Sequence, residues 1–100
     1  MIYAVDIDGT LSEEDENPEN WFRYADCVPI QETIDKINEL HGEIGDTTHT
    51  IVLYTARFEE DRMVTQQWLS KHGVKYHRLI MGKFRADIYV DSNAKRPEEL

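Results

Sequence analysis

The chain has 100 residues, enough for one domain with its own hydrophobic core, and we treat residues 1–100 as a single domain. With 40% hydrophobic and 31% charged residues, its composition is typical of a soluble globular protein, and no stretch has the roughly 18 apolar residues of a membrane span. One cysteine excludes an intramolecular disulfide, and the first residues lack a signal-peptide pattern. These features predict a cytoplasmic protein without a membrane partner.

The charge is unevenly distributed along the chain. The net charge is −9, with −11 in residues 1–50 and +2 in residues 51–100. An acidic protein is a poor ligand for a nucleic-acid backbone, so nucleic acid is not the expected partner. The basic second half can still present a local site to a small anion.

The first segment of the chain reads as a strand followed by a long loop. Residues 2–6 form a continuous, mostly apolar run of the kind found in buried parallel strands. Residues 9–28 lack a helical or strand period, and a loop of this length is often functional. Its acidic run at residues 13–16 is interpreted as a solvated surface. We expect the aromatic residues of this loop to pack it against the rest of the domain or to line a substrate opening. These residues are Trp21, Phe22 and Tyr24.

A first helix is predicted after this loop. Pro29 suits the first helical position, and Gly42 suits the residue after the last turn. Between them, apolar residues follow the helical spacing: Ile30, Ile34, Ile37 and Leu40.

The remaining segments alternate between strand and helix patterns. Residues 50–54 read as a strand. Residues 59–72 read as a helix whose apolar face is Met63, Val64, Trp68 and Leu69, with Gly73 as its end. Residues 74–80 and 88–90 read as two further strands. This order predicts an α/β fold, a three-layer sandwich around a mainly parallel, Rossmann-like sheet.

Polar residues follow the predicted strands at the edge where a parallel sheet binds ligands. The carboxyl ends of parallel strands meet at one edge, and the loops that leave it carry the binding groups. The candidates are Asp6 and Asp8 after the first strand, Thr55, Ala56 and Arg57 after the second, Lys83 before the fourth, and Asp91 after the fourth.

This set of residues favours phosphoryl transfer with a divalent cation. Neighbouring carboxylates repel each other unless a cation lies among them, and Mg2+ prefers a few carboxylates together with water and phosphate oxygens. A carboxylate such as Asp6 can attack phosphorus, while a second acid can move the proton. Lys83 and Thr55 could neutralise and hold the phosphoryl oxygens. Arg57 could bind a substrate anion or pair with an acid, and the sequence leaves both roles open.

These motifs resemble those of the haloacid dehalogenase superfamily of phosphotransferases. VDIDGTL is similar to the first motif of that family, IVLYTAR to the second, Lys83 to the third, and ADIYVDS to the fourth. The ordered set covers nearly the whole chain. The combination of TAR and GVKYHRLIMGKFRADIYVD is similar to small members without a cap domain that are linked to capsular sugar biosynthesis and to bacteriophages.

The resemblance implies a role for each motif residue. Asp6 would be the nucleophile and Asp8 the general acid and base, while Thr55 and Lys83 would bind the phosphoryl group. Mg2+ would be held by the Asp6 side chain, the Asp8 backbone carbonyl and Asp91.

The sequence departs from the family pattern at two points. The fourth motif usually contains two adjacent acids, whereas Ser92 follows Asp91 here, which puts metal affinity in question. The chain also has no room for a cap domain. Closure over a substrate is therefore expected from residues 9–28 or from a neighbouring subunit of a homo-oligomer.

Four functions are compatible with these patterns. A phosphatase acting on a small phosphomonoester, such as a sugar phosphate, fits best. A nucleotide or polynucleotide end phosphatase would use the basic residues Arg57, Arg62, Lys83 and Arg85 as its anion-binding surface. A receiver-type signalling domain would need an aspartate at the end of the second strand, where the sequence has Tyr54-Thr55-Ala56. A non-catalytic relative that binds a metal or a partner is the fourth.

Overall fold

The computed structural model describes residues 1–14, 17 and 23–100. Its sheet has three strands, β1 (Ile2–Val5), β2 (Thr50–Tyr54) and β3 (Arg78–Ile80), in the order β1-β2-β3. The helices are α1 (Gln31–His41) and α2 (Arg62–Lys71). Short 3-10 turns occur at Tyr24–Asp26, Glu59–Asp61 and Pro97–Glu99.

This architecture confirms the predicted fold class. Both strand pairs are parallel, and one helix lies in the chain between each pair of neighbouring strands. The protein is therefore a Rossmann-like α/β fold, and the described residues form no separate cap domain. No helix among these residues is long and apolar enough to cross a membrane.

The strand register places the ends of all three strands at one edge of the sheet. Val5 pairs with Leu53, and Leu53 pairs with Leu79. All three side chains are buried in the hydrophobic core, whose members are Val5, Ile7, Leu11, Ile34, Ile37, Ile51, Leu53, Trp68, Leu69, Val74 and Leu79. Burial of this apolar surface fixes the register, because a shift of one residue would turn each core side chain to the other face.

Helix α1 ends where the sequence predicts, but it begins later. Gly42 follows the last turn with φ of +69°, a conformation that glycine adopts without steric cost. The prediction that Pro29 is the first helical residue is wrong, because Pro29 forms a β-bridge with Ser12. The amide of Ile30 also donates to the carbonyl of Leu11 at 2.8 Å. These contacts hold the backbone extended until Gln31.

The second predicted helix is confirmed in substance, although its first residues form a tighter turn. Residues Glu59–Asp61 are 3-10, and α2 continues from Arg62. Trp68 and Leu69 are buried as predicted, whereas Met63 is 71% exposed and does not belong to the core face.

The third predicted strand, residues 74–80, is confirmed only in its last part. The side-chain amide of Asn38 donates to the Gly73 carbonyl at 2.9 Å and accepts from the Lys75 amide at 2.8 Å. A side chain from α1 thus takes the backbone groups that a neighbouring strand would bind, so β3 begins at Arg78.

The predicted fourth strand, residues 88–90, is wrong. Ile88 and Val90 are 79% and 95% exposed, and no strand includes them. The hydroxyl of Tyr89 instead accepts from the Ala86 amide and donates to the Phe84 carbonyl. These local hydrogen bonds fold the segment on itself.

The long loop returns to the sheet immediately after the first motif. The carbonyl of Ile7 accepts the amides of Thr10, Leu11 and Ser12, and Gly9 has φ of +82°. The predictions for Trp21 and Phe22, and for half of the acidic run, fall outside the described residues. The third aromatic, Tyr24, does contact the body, as described below.

Trp68 ties the end of the long loop to α2. Its indole Nε1 donates to the Cys27 carbonyl at 2.8 Å, and the side chain is 2% exposed. We expect Trp68→Phe to lower the free energy of unfolding by about 1–3 kcal/mol, because the carbonyl loses its donor. Urea unfolding followed by far-ultraviolet circular dichroism measures the change. Phe84→Leu, at a position that is 81% exposed, is the control, and equal loss in both variants would contradict the prediction.

Candidate functional site

Backbone hydrogen bonds join the ends of β2 and β3. The Thr55 amide donates to the Ile80 carbonyl at 3.0 Å, and the Lys83 amide donates to the Thr55 carbonyl at 2.8 Å. Between them, Gly82 has φ of +79° and its amide donates to the Arg57 carbonyl at 2.9 Å. The turn after β3 is thereby held against the turn after β2. The structure thus brings two predicted site residues, Thr55 and Lys83, together.

Asp6 lies at the same edge, directly after β1. Its Oδ1 accepts the Ile7 amide at 2.8 Å. Partial burial raises the pKa of the Asp6 carboxyl, while the Ile7 hydrogen bond and the positive charge of Lys83 oppose that rise. The negative charges of Asp8 and Glu14 raise the pKa further. Asp6 is therefore a half-buried carboxylate within electrostatic reach of an ammonium group and two other acids.

Sequence reasoning missed Glu14 as a neighbour of this site. Glu14 belongs to the acidic run that was interpreted as a solvated surface, and its own side chain is exposed. Its Oε2 nevertheless lies 3.4 Å from where a Cβ at Gly9 would stand. The close return of the chain at Gly9 brings it there, and charge composition alone carries no signal of such a turn.

Asp8 is held by Arg57 through two hydrogen bonds. Arg57 Nη2 donates to Asp8 Oδ1 at 2.7 Å, and Arg57 Nε donates to Asp8 Oδ2 at 3.0 Å. The Arg57 side chain is 0% exposed and the Asp8 side chain 31% exposed. This bidentate geometry is the strongest form of an arginine–carboxylate contact. Of the two roles open to Arg57, the structure selects pairing with an acid.

The rest of the Arg57 guanidinium is also enclosed. Nη1 donates to Thr65 Oγ1 at 3.0 Å, and Nη2 lies 4.0 Å from Cys27 Sγ. The ring of Tyr24 covers the guanidinium carbon, 3.9 Å from the ring centroid, in a cation–π contact. Burial also raises the pKa of the Tyr24 hydroxyl. A guanidinium with these neighbours has no surface left for a substrate.

Thr55 and Ala56 form the backbone turn beside the acids. Thr55 is fully buried, and its Oγ1 accepts the Arg57 amide at 3.2 Å. Ala56 is partly exposed. The threonine hydroxyl keeps its own hydrogen as a donor.

Lys83 is partly exposed and lies against two aromatic rings. Its Nζ is 4.1 Å from the Tyr89 ring centroid and 5.4 Å from the Tyr54 ring centroid. The rings limit the positions that the ammonium group can take. Sequence analysis placed Tyr89 in a strand and missed this contact.

The structure does not bring the third predicted metal ligand into the site. Asp91 is exposed, and its Oδ1 accepts the Asn93 amide at 3.4 Å. Within residues 1–14, 17 and 23–100, no group of three histidine, cysteine or acidic side chains is placed to hold a metal ion. The expected convergence failed because it depended on a strand at residues 88–90.

The remaining donors still fit Mg2+ in part. Mg2+ binds through one or two carboxylates and completes its coordination with water and phosphate oxygens. The burial and neighbouring negative charges that raise the pKa of Asp6 are what a cation would offset. Asp6, with the Asp8 backbone carbonyl, is the pair that could hold such an ion.

No protein-family model and no curated protein matches the chain. Among solved structures, the crystal structure of a structural genomics target from Vibrio cholerae is similar, with a TM-score of 0.77 and 25% sequence identity. The match covers 98% of this chain and 85% of that chain. It supports the α/β fold over nearly the whole length of the protein.

Two arginine–carboxylate pairs of this protein differ in burial, and each arginine makes one further hydrogen bond, from Arg57 to Thr65 and from Arg62 to the Leu79 carbonyl. Arg62 binds Glu59 through two contacts of 2.6 and 3.2 Å, but that pair is exposed. We expect Arg57→Met to lower the free energy of unfolding by about 3 kcal/mol, because it leaves Asp8 without its partner. Arg62→Met should cost less than about 1 kcal/mol. Denaturant unfolding of both variants tests this, and similar losses would show that burial of the Arg57 pair adds nothing.

The raised pKa of Asp6 predicts that ionised Asp6 lowers the free energy of unfolding, and that this effect depends on pH. Because the folded-state pKa lies above the ordinary 3.8, the stability that Asp6 contributes is present below pH 3.8 and is lost as pH rises through the folded-state pKa. Asp6→Asn should therefore gain stability relative to the parent at pH 7, and the gain should shrink as the pH falls towards 4.

A control of opposite sign is available in Asp46. Hydrogen bonds from Thr48 lower the pKa of Asp46, so Asp46→Asn should lose stability at pH 7, and this loss should shrink only as pH falls below 3.8. Thermal unfolding of both variants from about pH 2.5 to pH 8 measures the two trends, because the window of Asp46 lies below pH 3.8. Parallel trends would contradict the assignment of Asp6 as a carboxylate destabilised by burial.

Proposed function

We propose that this protein is a Mg2+-dependent phosphomonoester hydrolase of the haloacid dehalogenase type, acting through an aspartyl-phosphate on Asp6. The observation that carries the proposal is the position of Asp6, half-buried at the carboxyl end of β1 and within the field of Lys83. The backbone of Lys83 is bonded to Thr55, so three motif residues distant in sequence share one edge. Structural ion pairing does not account for Asp6, which makes no salt bridge among the described residues.

Asp6 and Asp8 divide the chemistry between them. An oxygen of ionised Asp6 attacks phosphorus, the bond from phosphorus to the ester oxygen breaks, and Asp8 gives a proton to the departing oxygen. Water then attacks the phosphorus of the acyl phosphate while Asp8 takes its proton. Cleavage of the phosphorus–oxygen bond to Asp6 releases inorganic phosphate and restores both carboxyl groups.

Lys83 and the turn at Thr55 bind charge that develops on the phosphoryl group. The ammonium group of Lys83 favours the ionised form of Asp6 and can approach a phosphoryl oxygen. The partly exposed Ala56 could offer its backbone amide from the neighbouring loop, while the fully buried Thr55 holds that turn by accepting the Arg57 amide. Mg2+, held by Asp6 and the Asp8 carbonyl, would supply further neutralisation of the phosphoryl oxygens.

A small phosphorylated metabolite, such as a sugar phosphate, is the proposed substrate. The sequence alternative, a polynucleotide end phosphatase, relied on four basic residues as an anion-facing surface. Arg57 is enclosed by protein, and Arg62 is paired with Glu59. The acidic first half of the chain also disfavours a polyanion. We propose that the protein acts in the cytoplasm and that a second subunit of a homo-oligomer could complete the open edge.

Release of phosphate from a panel of sugar phosphates, nucleotides and oligonucleotide ends tests the proposal. We expect turnover with Mg2+, loss of turnover with EDTA, and a fall of at least about 1,000-fold in Asp6→Asn, because the nucleophile is removed. Asp35→Asn, which removes an exposed carboxylate from α1, is the control and should retain activity.

Three outcomes would change the assignment. Turnover that survives in folded Asp6→Asn would exclude Asp6 as the nucleophile. A salt-sensitive preference for oligonucleotide 3′-phosphates would favour the polynucleotide alternative. No release from any substrate by the folded parent protein would favour a non-catalytic relative that binds a metal or a partner.

A further inference from the structure

We infer that Arg57 is a positioning residue that holds Asp8 in the orientation its proton transfer requires, and that Tyr24 keeps Arg57 in place. This inference rests on the proposed function. Two hydrogen bonds, of 2.7 and 3.0 Å, join the Nη2 and Nε groups of Arg57 to the two carboxylate oxygens of Asp8. Because the guanidinium is planar and rigid, two such bonds fix both the position and the plane of the carboxylate.

Arg57 is itself fixed from three directions. Its Nη1 binds Thr65 of α2, the ring of Tyr24 covers its face, and its backbone amide donates to Thr55 Oγ1. Its carbonyl also accepts the amide of Gly82, the residue before Lys83. Arg57 therefore connects Asp8 to Thr55 and to Gly82, the residue that precedes Lys83.

The contact with Tyr24 assigns a role to the described end of the long loop. Tyr24 begins the 3-10 turn Tyr24–Asp26, and the next residue, Cys27, is bound by Trp68 through its carbonyl. This anchoring holds the Tyr24 ring over the guanidinium and shields the ion pair from water. A contact that is shielded in this way keeps a narrower range of geometry than one exposed to solvent.

Arg57 acts through Asp8 and does not touch the substrate. Its side chain is 0% exposed, whereas Asp8 is 31% exposed and can reach a bound molecule. Loss of Arg57 should therefore lower kcat and leave KM nearly unchanged. An arginine that bound the substrate phosphate would instead raise KM.

The leaving group of the substrate separates positioning from a structural role. An alkoxide needs a proton as it departs, whereas 4-nitrophenolate departs without one. Misplacing Asp8 should therefore lower kcat/KM, which reports formation of the aspartyl-phosphate, more for an alkyl phosphate than for 4-nitrophenyl phosphate. General damage to the fold would lower kcat/KM equally for both substrates.

The test compares a sugar 6-phosphate with 4-nitrophenyl phosphate in Arg57→Met and Arg57→Lys. We expect kcat/KM for the sugar phosphate to fall about 100-fold in Arg57→Met, the usual cost of a misplaced catalytic group, and kcat/KM for the aryl phosphate to fall only about 10-fold. The kcat/KM values of Arg57→Lys should lie between those of the parent and of Arg57→Met, because lysine keeps the positive charge but lacks the paired N–H donors of the guanidinium.

Milder variants keep the test informative where Arg57→Met does not fold. Tyr24→Ala removes the ring above the guanidinium, whereas Tyr24→Phe retains it. Thr65→Val removes the acceptor of Nη1 with little change in volume. We expect Tyr24→Ala and Thr65→Val to shift the ratio of the kcat/KM values for the two substrates in the same direction as Arg57→Met. Tyr24→Phe should stay nearest to the parent.

Different kinetic results would contradict the positioning role of Arg57 and the proposed function. If the parent protein hydrolyses both substrates and the variants lower kcat/KM equally for both, Arg57 is only structural. If KM rises while kcat is retained, Arg57 contacts the substrate. If the folded parent protein hydrolyses neither substrate, the proposed function and this inference fall together.

Discussion

The ion pair between Asp8 and Arg57 is the interaction on which the rest of the candidate site depends. A guanidinium removed from water carries a large desolvation cost, which must be offset by excellent geometry and by partners for its remaining hydrogens. The segment after β1 supplies Asp8, helix α2 supplies Thr65, and the long loop supplies the ring of Tyr24. Elements far apart in sequence are thus held together by the side chain that also orients Asp8.

The two carboxylates at the end of β1 lie in different environments. Asp6 is half-buried beside Lys83, and burial raises its pKa, whereas Asp8 is bound through both oxygens. Two identical groups can perform different chemical roles when their surroundings differ in this way. The uneven distribution of charge along the chain is also seen within the candidate site. The acids come from the first half of the sequence, and Arg57 and Lys83 come from the second.

The parts of the fold that were predictable have strong local signals. Residues 50–54 form a buried apolar run, and Gly42 ends α1 in a conformation that suits glycine. The errors occur where a distant side chain or backbone takes over. Asn38 binds the backbone at residues 73 and 75, and Ser12 pairs with Pro29. Such contacts decide where an element begins, and no periodicity in the local sequence reports them.

The sequence by itself determined the α/β class and the gathering of Asp6 and Thr55, because parallel strands end at one edge of their sheet. Lys83 was expected before a fourth strand and instead joins them from the turn after β3. Only the tertiary structure decided that Arg57 pairs with Asp8, 49 positions earlier, and that Glu14 lies near Asp6 while Asp91 does not join them. The physical reason is that strand order fixes only where the backbone of each strand ends. The partner of a side chain depends on loop geometry and burial, which arise only when the chain has folded.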